Sequence, residues 1–222
     1  AEQKGLVYME ALIGVYLPEM RILQGAVERL GGVHLARLDF SQYSSKYPAY
    51  LAGEVPNIFN PKMATGGLMD LGIYCVYPAV MLFGMPDKVS AHARFLSTGA
   101  DGSGCVTLHY ADKTVVLTYS KTAQGEIGSE IQGEHGVIRI PRISKLTDMT
   151  FTPVGGQPQP LSTYTDKYLQ MSYEAKRFYE FITQPEQNQA QYRYVSSIAY
   201  TVSRVMKMAR EEAGIHFELS EQ

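Results

Sequence analysis

A close succession of short apolar runs between residues 88 and 161 constrains the fold of this chain more than any other feature. In order, the runs read VSAHARFL, CVTLHY, TVVLTYS, EIGSEIQG and VIRI, and short turns separate them. Apolar or alternating runs of this length, bounded by turn residues, are typical of β-strands. Strands that follow one another this closely pair antiparallel, because a parallel pair needs a crossover of about a dozen residues or more. The region therefore predicts hairpins in a largely antiparallel sheet.

Apolar residues at helical spacing predict helices before and after this β-rich region. The helical segments are residues 18–30, 66–84, 172–183 and 191–213. Residues 33–40 alternate as a further strand, and residues 41–65, which are polar, tyrosine-rich and interrupted by prolines, predict a long surface loop. Because no linker separates the strands from the helices, we expect an α+β fold, with helices packed on one face of an open, largely antiparallel sheet.

Alternation within the strands predicts how the two faces of the sheet are used. In TVVLTYS, Val115, Leu117 and Tyr119 fall on one face, which is strongly apolar and should meet the helices. The opposite face carries small, mildly polar residues such as Val116 and Thr118, and few charges. A sheet face in contact with water usually carries more charged residues. We therefore expect this second face to pair with another copy of the chain in a homodimer.

The composition excludes several classes of function. Of 222 residues, 45% are hydrophobic and 19% charged, with a net charge of −2, which is ordinary for a globular protein and gives no basic field for nucleic acid. No apolar run reaches the ~18 residues that a membrane-spanning helix needs. The five histidines lack metal-ligand spacing, so no metal site is predicted. Two cysteines favour reduced thiols and a cytoplasmic location.

The beginning of the chain predicts that it is a piece of a longer protein. Residues 1–5 read as the last turn of a helix with a glycine stop, and residues 6–11, LVYMEA, read as a short strand. The first residue is Ala1 rather than Met. A natural protein seldom begins in the middle of a helix, so we expect further residues upstream.

Residues 66–84, GGLMDLGIYCVYPAVMLFG, carry the strongest indication of chemistry. Gly66 and Gly67 predict a flexible start to an apolar helix that ends at Gly84, and Pro78 should kink or interrupt it. Asp70 and Tyr74 lie four residues apart and so share one helical face, with Tyr77 on the next turn. A carboxylate beside a phenol suits proton transfer to and from an alcohol or carbonyl oxygen. The alternative is a buried helix in which Asp70 caps the backbone and Tyr74 belongs to the core.

The same segment resembles the second-domain signature of the Gfo/Idh/MocA family, which are two-domain, nicotinamide-dependent oxidoreductases. The family pattern is a glycine cluster, Asp-x-Gly-x-His or Asp-x-Gly-x-Tyr, and an apolar helix that ends near Phe-Gly. Its positions here are Gly66, Gly67, Asp70, Gly72, Tyr74, Phe83 and Gly84. The variant of the motif with Tyr is nearest to dimeric dihydrodiol dehydrogenase-like members. Residues 8–11 and 171–176 also resemble that branch. The likeness spans nearly the whole chain.

The resemblance implies a domain organisation and a set of site residues. Residues 1–16 would be the remnant of an N-terminal dinucleotide-binding domain, and residues 17–222 the substrate-binding, catalytic and dimerisation domain. Tyr74 would transfer the hydroxyl proton, helped by a lysine from the upstream domain, and Asp70 would orient the hydroxyl or accept its proton. Glu10 would contact the cofactor, NAD or NADP, which is held mainly by the upstream domain. The alternative for Glu10 is a surface carboxylate at the end of a strand. We assign Tyr77 to substrate binding.

The function implied is that of the catalytic domain of an NAD(P)-dependent oxidoreductase acting on the CH–OH group of a sugar, cyclitol or dihydrodiol. This chain alone would be inactive. Where relatives carry an arginine after the first strand, this chain has apolar residues at 12–15, so a preference for anionic substrates does not carry over. The alternative is a non-catalytic ligand-binding or dimerisation domain of the same fold, because a fold can keep its architecture and lose its chemistry.

Overall fold

Eight strands form one open sheet in the computed structural model, which describes residues 1–217. The order of neighbours is β2-β3-β4-β1-β5-β6-β7-β8. All neighbouring pairs are antiparallel except β1 with β4, which confirms the predicted α+β class and largely antiparallel sheet. The strand bounds are β1 Val33–Ser41, β2 Lys88–Phe95, β3 Asp101–His109, β4 Thr114–Ser120, β5 Ser129–Gly133, β6 Gly136–Ile140, β7 Thr150–Pro153 and β8 Gln159–Pro160.

Strand β1 lies in the middle of the sheet although it comes first in the chain. It runs parallel to β4, with Leu35 opposite Thr114, and antiparallel to β5, with Ala36 opposite Ile131. The parallel pair is possible because the long connection between β1 and β4 contains the helix of the signature segment and two further strands. The sequence predicted this strand but not its central position.

The helices follow the predicted segments closely. Pro18 begins α2, where its missing N–H costs nothing, and the Asp166 side chain caps α5 by accepting from two backbone N–H groups. Gly84 and Gly214 end α4 and α6 with positive φ angles of 77° and 70°. The bounds are α1 Ile13–Tyr16, α2 Pro18–Glu28, α3 Tyr47–Leu51, α4 Ile73–Phe83, α5 Lys167–Thr183 and α6 Pro185–Ala213.

The core lies between the sheet and helices α2, α4 and α6. Val115, Leu117 and Tyr119 are at most 2% exposed, which confirms the predicted inner face. The outer face is partly exposed in β3 and β4, as at Val116 and Thr118. The expected scarcity of charge holds only for these two strands. Strands β1, β2, β5 and β6 add charged residues at alternate positions, namely Arg37, Asp39, Lys88, Arg94, Glu130 and Arg139.

Residues 6–11 do not form the predicted strand. An extended segment becomes a strand only beside the backbone of another strand, and within residues 1–217 none runs alongside it. Instead, the Tyr8 N–H donates to the Tyr192 hydroxyl at 3.1 Å, and that hydroxyl donates to the Tyr8 carbonyl at 3.1 Å. A side chain thus takes the place of a neighbouring strand.

The predicted surface loop at residues 41–65 is more structured than expected. It contains α3 and two 3₁₀ turns, Asn57–Phe59 and Pro61–Met63. Phe59 is fully buried, and the rings of Tyr47 and Tyr50 lie 5.9 and 5.6 Å from it. This aromatic cluster explains the tyrosine content of the segment, because it supplies the apolar contacts that a solvated loop lacks.

The signature helix corrects two further expectations. Helix α4 continues through Pro78 without interruption. The 23-residue segment Pro61–Phe83 is long and apolar enough to cross a membrane by composition, contrary to the expectation from the sequence. However, 61% of its apolar window is buried inside the protein, as is usual for the core helix of a folded domain. Its apolar character is therefore accounted for by packing.

Candidate active site

A π-helical turn, Leu68–Gly72, precedes α4 and carries Asp70. Its start is held by Asp101 at the beginning of β3, whose Oδ2 accepts from the Leu68 N–H at 2.7 Å. Gly66 has a φ of +147°, and a Cβ on it would overlap the Asp101 carboxylate. The expectation of a flexible glycine pair is therefore wrong, since the chain here is tightly packed. Turns of this kind are frequent at functional sites.

Asp70 forms an ion pair with Lys121, which directly follows β4. The lysine side chain is only 8% exposed, whereas that of Asp70 is 42% exposed. The backbone of Lys121 is fixed on both sides, because its N–H donates to the Gly102 carbonyl at 2.8 Å and its carbonyl accepts from the Ser44 N–H at 2.9 Å. The cation is thus held inside the protein and the carboxylate faces the solvent side.

Tyr74 lies one helical turn after Asp70, and its ring packs edge-on against Phe40 at 5.3 Å between centroids. Burial raises the pKa of the Tyr74 phenol above 10, and the negative charges of Asp70 and Glu174 raise this pKa further. The phenol is therefore protonated at neutral pH. In this state Tyr74 can donate a proton to an oxygen that gains negative charge.

Glu174 on α5 contributes a second carboxylate to this region. Burial raises its pKa, and within the described residues its Oε2 atom is buried without a hydrogen-bond partner. Its charge also raises the pKa of Tyr16, after the larger effect of burial. An unpaired buried carboxylate oxygen is costly in a fold and is therefore of interest near a site. The sequence indicated this segment only through the resemblance at residues 171–176.

Tyr77 and Glu10 lie together. The Tyr77 hydroxyl donates to Glu10 Oε2 at 2.7 Å, and Tyr77 is only 2% exposed. Burial and then this hydrogen bond raise the Tyr77 pKa. Met69, Ile73 and Tyr77 form one stripe that faces a cavity of about 400 Å³ between residues 8–16, α4 and α6.

The structure therefore divides the four predicted residues into two pairs. Asp70 and Tyr74 occupy one stripe of the signature helix, and Tyr77 faces the cavity beside Glu10. Tyr77 lies on the turn after Tyr74, as its spacing predicted, and its hydroxyl is directed to Glu10. Among residues 1–217, no three His, Cys, Asp or Glu side chains converge in a way that could hold a metal ion.

Sequence reasoning missed Lys121. Its only local signal is a lysine immediately after the apolar strand TVVLTYS, where the strand ends beside the start of the signature segment. Such a lysine is normally expected at the surface. Only the packing of β4 against the π turn brings it to Asp70, 51 residues earlier in the chain.

This fold and this motif define an oxidoreductase family domain. Residues 25–139 match the GFO/IDH/MocA C-terminal domain, and the chain belongs to this family, as the resemblance predicted. The chain is 35% identical over 215 residues to scyllo-inositol 2-dehydrogenase (NADP(+)) IolU of Bacillus subtilis. The matched region covers 97% of this chain and 65% of that protein. It is 29% identical over 192 residues to human trans-1,2-dihydrobenzene-1,2-diol dehydrogenase, covering 81% of this chain and 54% of that enzyme.

Solved structures share the fold at lower sequence identity. KijD10, a 3-ketoreductase from Actinomadura kijaniata in complex with TDP-benzene and NADP, superposes with a TM-score of 0.75 at 16% identity. The match covers 96% of this chain and 63% of that one. The chain thus spans between about half and two thirds of the length of the relatives it matches.

Proposed function

We propose that residues 17–222 form the catalytic and substrate-binding domain of an NAD(P)-dependent oxidoreductase that acts on the CH–OH group of a sugar, cyclitol or dihydrodiol. Residues 1–16 would belong to the end of an adjoining dinucleotide-binding domain. Family membership and the names of the relatives support the reaction class. When bound, the nicotinamide supplies or accepts the hydride, and this chain holds the substrate and handles its proton.

The observation that carries this proposal is the arrangement of Tyr74 one turn after Asp70, with Asp70 held by Lys121. A protonated phenol next to a fixed carboxylate offers one donor and one acceptor to a substrate with hydroxyl groups. The π turn that carries Asp70 also supports the proposal, because such turns are frequent at functional sites.

In the direction of carbonyl reduction, Tyr74 would donate its proton to the oxygen as that oxygen becomes an alcohol. The raised pKa of Tyr74 keeps this proton available across the neutral range. In the direction of alcohol oxidation, the same oxygen of Tyr74 would have to accept the proton as phenolate, which needs a nearby positive charge. The resemblance assigns this charge to a lysine outside this chain.

The turn at Gly66 and Gly67 does not fit the phosphates of a dinucleotide. A glycine-rich turn could cradle a phosphate only if the space over its glycines were open. At Gly66 this space is filled by the Asp101 carboxylate, and at Gly67 by the Tyr119 ring, 2.9 Å from where a Cβ would stand. We therefore place the NAD or NADP site mainly outside this chain. Glu10, already bound by Tyr77, stays a proposed contact to the cofactor.

The test is the substitution Tyr74→Phe in the full-length protein. We expect kcat to fall on the order of 10²-fold or more, the usual contribution of a positioned acid–base group. Tyr110→Phe is the matched control, because the Tyr110 hydroxyl donates to the Gly84 carbonyl at 3.0 Å, at the far end of α4. Steady-state turnover with both cofactors and a panel of cyclitols, sugars and diols measures the effect. Unchanged turnover in Tyr74→Phe would end the catalytic assignment.

The outer face of the sheet favours a second role, which is homodimerisation. Its central strands, β3 and β4, present small side chains that are only partly exposed, including Thr107, Val116 and Thr118. Such a face can pack against a second sheet without the cost of burying many charges. If Tyr74 proves dispensable, a non-catalytic dimerisation domain becomes the better reading of the chain.

A further inference from the structure

Lys121 is a buried cation that the proposed proton transfer does not use. Its side chain is 8% exposed and its charge is matched by Asp70. A lysine is seldom buried in a protein unless it is paired, because removing an ammonium group from water is expensive. An ion pair between two exposed side chains contributes little to stability. When one partner is buried, as Lys121 is, losing the other partner would leave a buried charge unpaired, so the pair is kept together. The feature to explain is therefore why Asp70 is held so firmly.

The pair leaves half of the Asp70 carboxylate available. Oδ2 of Asp70 accepts from the Lys121 ammonium, and within residues 1–217 Oδ1 accepts no hydrogen bond and is left for another donor. The backbones of both partners are fixed. Lys121 is held by backbone hydrogen bonds to Gly102 and Ser44. Asp70 is held by the π turn, whose first N–H group donates to Asp101. Asp70 therefore presents a single acceptor atom in a defined direction.

From this geometry we infer that Lys121 is a positioning residue, which holds Asp70 so that Oδ1 accepts a hydrogen bond from a hydroxyl on the carbon next to the reacting carbon. The inference rests on the proposed function and specifies its substrate as a vicinal diol, or the corresponding hydroxyketone. Tyr74 then donates to the reacting oxygen. Residues one helical turn apart have Cβ atoms about 5–6 Å from each other, so two oxygens on neighbouring carbons can be bound at once.

The charges around the pair favour an uncharged diol over an anionic substrate. Lys121 is neutralised by Asp70, and Glu174 adds a second carboxylate near Tyr74. A phosphate or carboxylate on the substrate would meet these negative charges, and Lys121 would not offset them because it is already paired. Both curated relatives described above are named for substrates with hydroxyls on adjacent carbons, scyllo-inositol and a 1,2-diol.

The experiment compares trans-cyclohexane-1,2-diol with cyclohexanol in the full-length protein. Lys121→Met should lower kcat/KM for the diol about 10- to 100-fold, mainly through KM, because Asp70 is no longer held in place. The loss for cyclohexanol should be smaller than for the diol, since cyclohexanol offers Asp70 no second hydroxyl. Lys121→Arg should keep most of the wild-type kcat/KM for the diol, because arginine has the same charge and a side chain of similar length.

Lys113→Met is the matched control. Lys113 pairs with Asp112 at 2.6 Å, just before the opposite end of β4, so it tests the loss of a paired lysine away from the site. Its kinetics should match those of the wild type. Equal losses on diol and cyclohexanol in Lys121→Met, or no loss on either, would overturn the inference and leave the proposed function standing.

Binding measurements separate this inference from the proposed function. Isothermal calorimetry with trans-cyclohexane-1,2-diol should show weaker binding to Lys121→Met than to the wild type, whether or not the protein turns the diol over. Absence of turnover in the wild type would count against the proposed function only. Equal diol affinity in both proteins would overturn the role of Lys121. If Lys121→Met folds poorly, Asp70→Asn, which keeps the side-chain shape, should also bind the diol more weakly than the wild type.

Discussion

Tyr74 and Tyr77 are three residues apart on α4, yet their surroundings give them different capabilities. Both phenols have raised pKa values, chiefly through burial. The hydroxyl of Tyr77 is already committed to Glu10, and its side chain is 2% exposed. Tyr74 is half-buried and lies next to the half-exposed carboxylate of Asp70. At the scale of single residues, accessibility and existing hydrogen bonds favour Tyr74 as the proton donor.

The role of Tyr77 can be tested by removing its hydroxyl. Tyr77→Phe should lower the free energy of unfolding by about 1–2 kcal/mol, because Glu10 loses a hydrogen bond from a partly buried donor. It should leave KM unchanged, since the hydroxyl already donates to Glu10. Urea denaturation and steady-state kinetics of the full-length protein measure the two effects. A rise in KM with unchanged stability would instead support the predicted contact between Tyr77 and substrate.

At the scale of elements, the start of the signature helix determines the position of Asp70. The π turn is held by a backbone-to-carboxylate hydrogen bond from Leu68 to Asp101, and glycine at positions 66 and 67 allows β3 and β4 to approach. Tyr119, in β4, fills the space beside Gly67. The glycines of the family signature are thus explained here by close packing and not by flexibility.

Gly66→Ala should therefore destabilise the protein by about 1–3 kcal/mol. The added methyl group meets the Asp101 carboxylate, and the φ of +147° is unfavourable for alanine. Gly25→Ala is the matched control, because Gly25 lies inside α2 with nothing within 4 Å of its Cβ position. That control should stabilise the protein by about 0.5–1 kcal/mol through helix propensity. Urea denaturation of both variants measures the difference, and a neutral Gly66→Ala would contradict the packing argument.

Local patterns predicted the elements, and long-range contacts decided their arrangement. The buried face of β4 follows from alternation at Val115, Leu117 and Tyr119, which is a property of the strand itself. The central position of β1 depends on pairing with two strands far along the chain, and no local pattern encodes it. The predicted strand at residues 6–11 failed for the same reason, since within residues 1–217 it has no partner.

The site divides in the same way. The spacing of Asp70 and Tyr74 on one helix is a local property, so the sequence predicted that they share a face. Lys121 and Asp101 reach the site from strands 51 and 33 residues away from their partners. Contacts of this kind depend on the packing of the whole domain, and neither residue stands out in its own segment.

At the scale of the whole molecule, the outer face of the sheet carries two kinds of surface. The centres of β3 and β4 are small and mildly polar, whereas β1, β5 and β6 carry a row of alternating charge. In this row Glu130 is opposite Arg37 on one side and Arg139 on the other. Opposite charges on facing positions of paired strands are favourable within a single chain. The row can therefore border a contact between two sheets, and the uncharged region of β3 and β4 is the better centre for it.

The homodimer prediction is tested most directly at that centre. Thr107 and Val116 are opposite each other on β3 and β4, so Thr107→Lys with Val116→Lys places two like charges in the middle of the proposed contact. In a two-fold symmetric dimer the same surface faces itself, so four positive charges would be brought together and the full-length protein should dissociate into monomers. Sedimentation velocity at micromolar concentration should give twice the chain mass for the wild type and a single chain mass for the variant. Gln187→Lys with Gln189→Lys adds the same charge on the exposed surface of α6 and should leave the dimer intact. A monomeric wild type, or a variant that remains dimeric, would show that this face is not the interface.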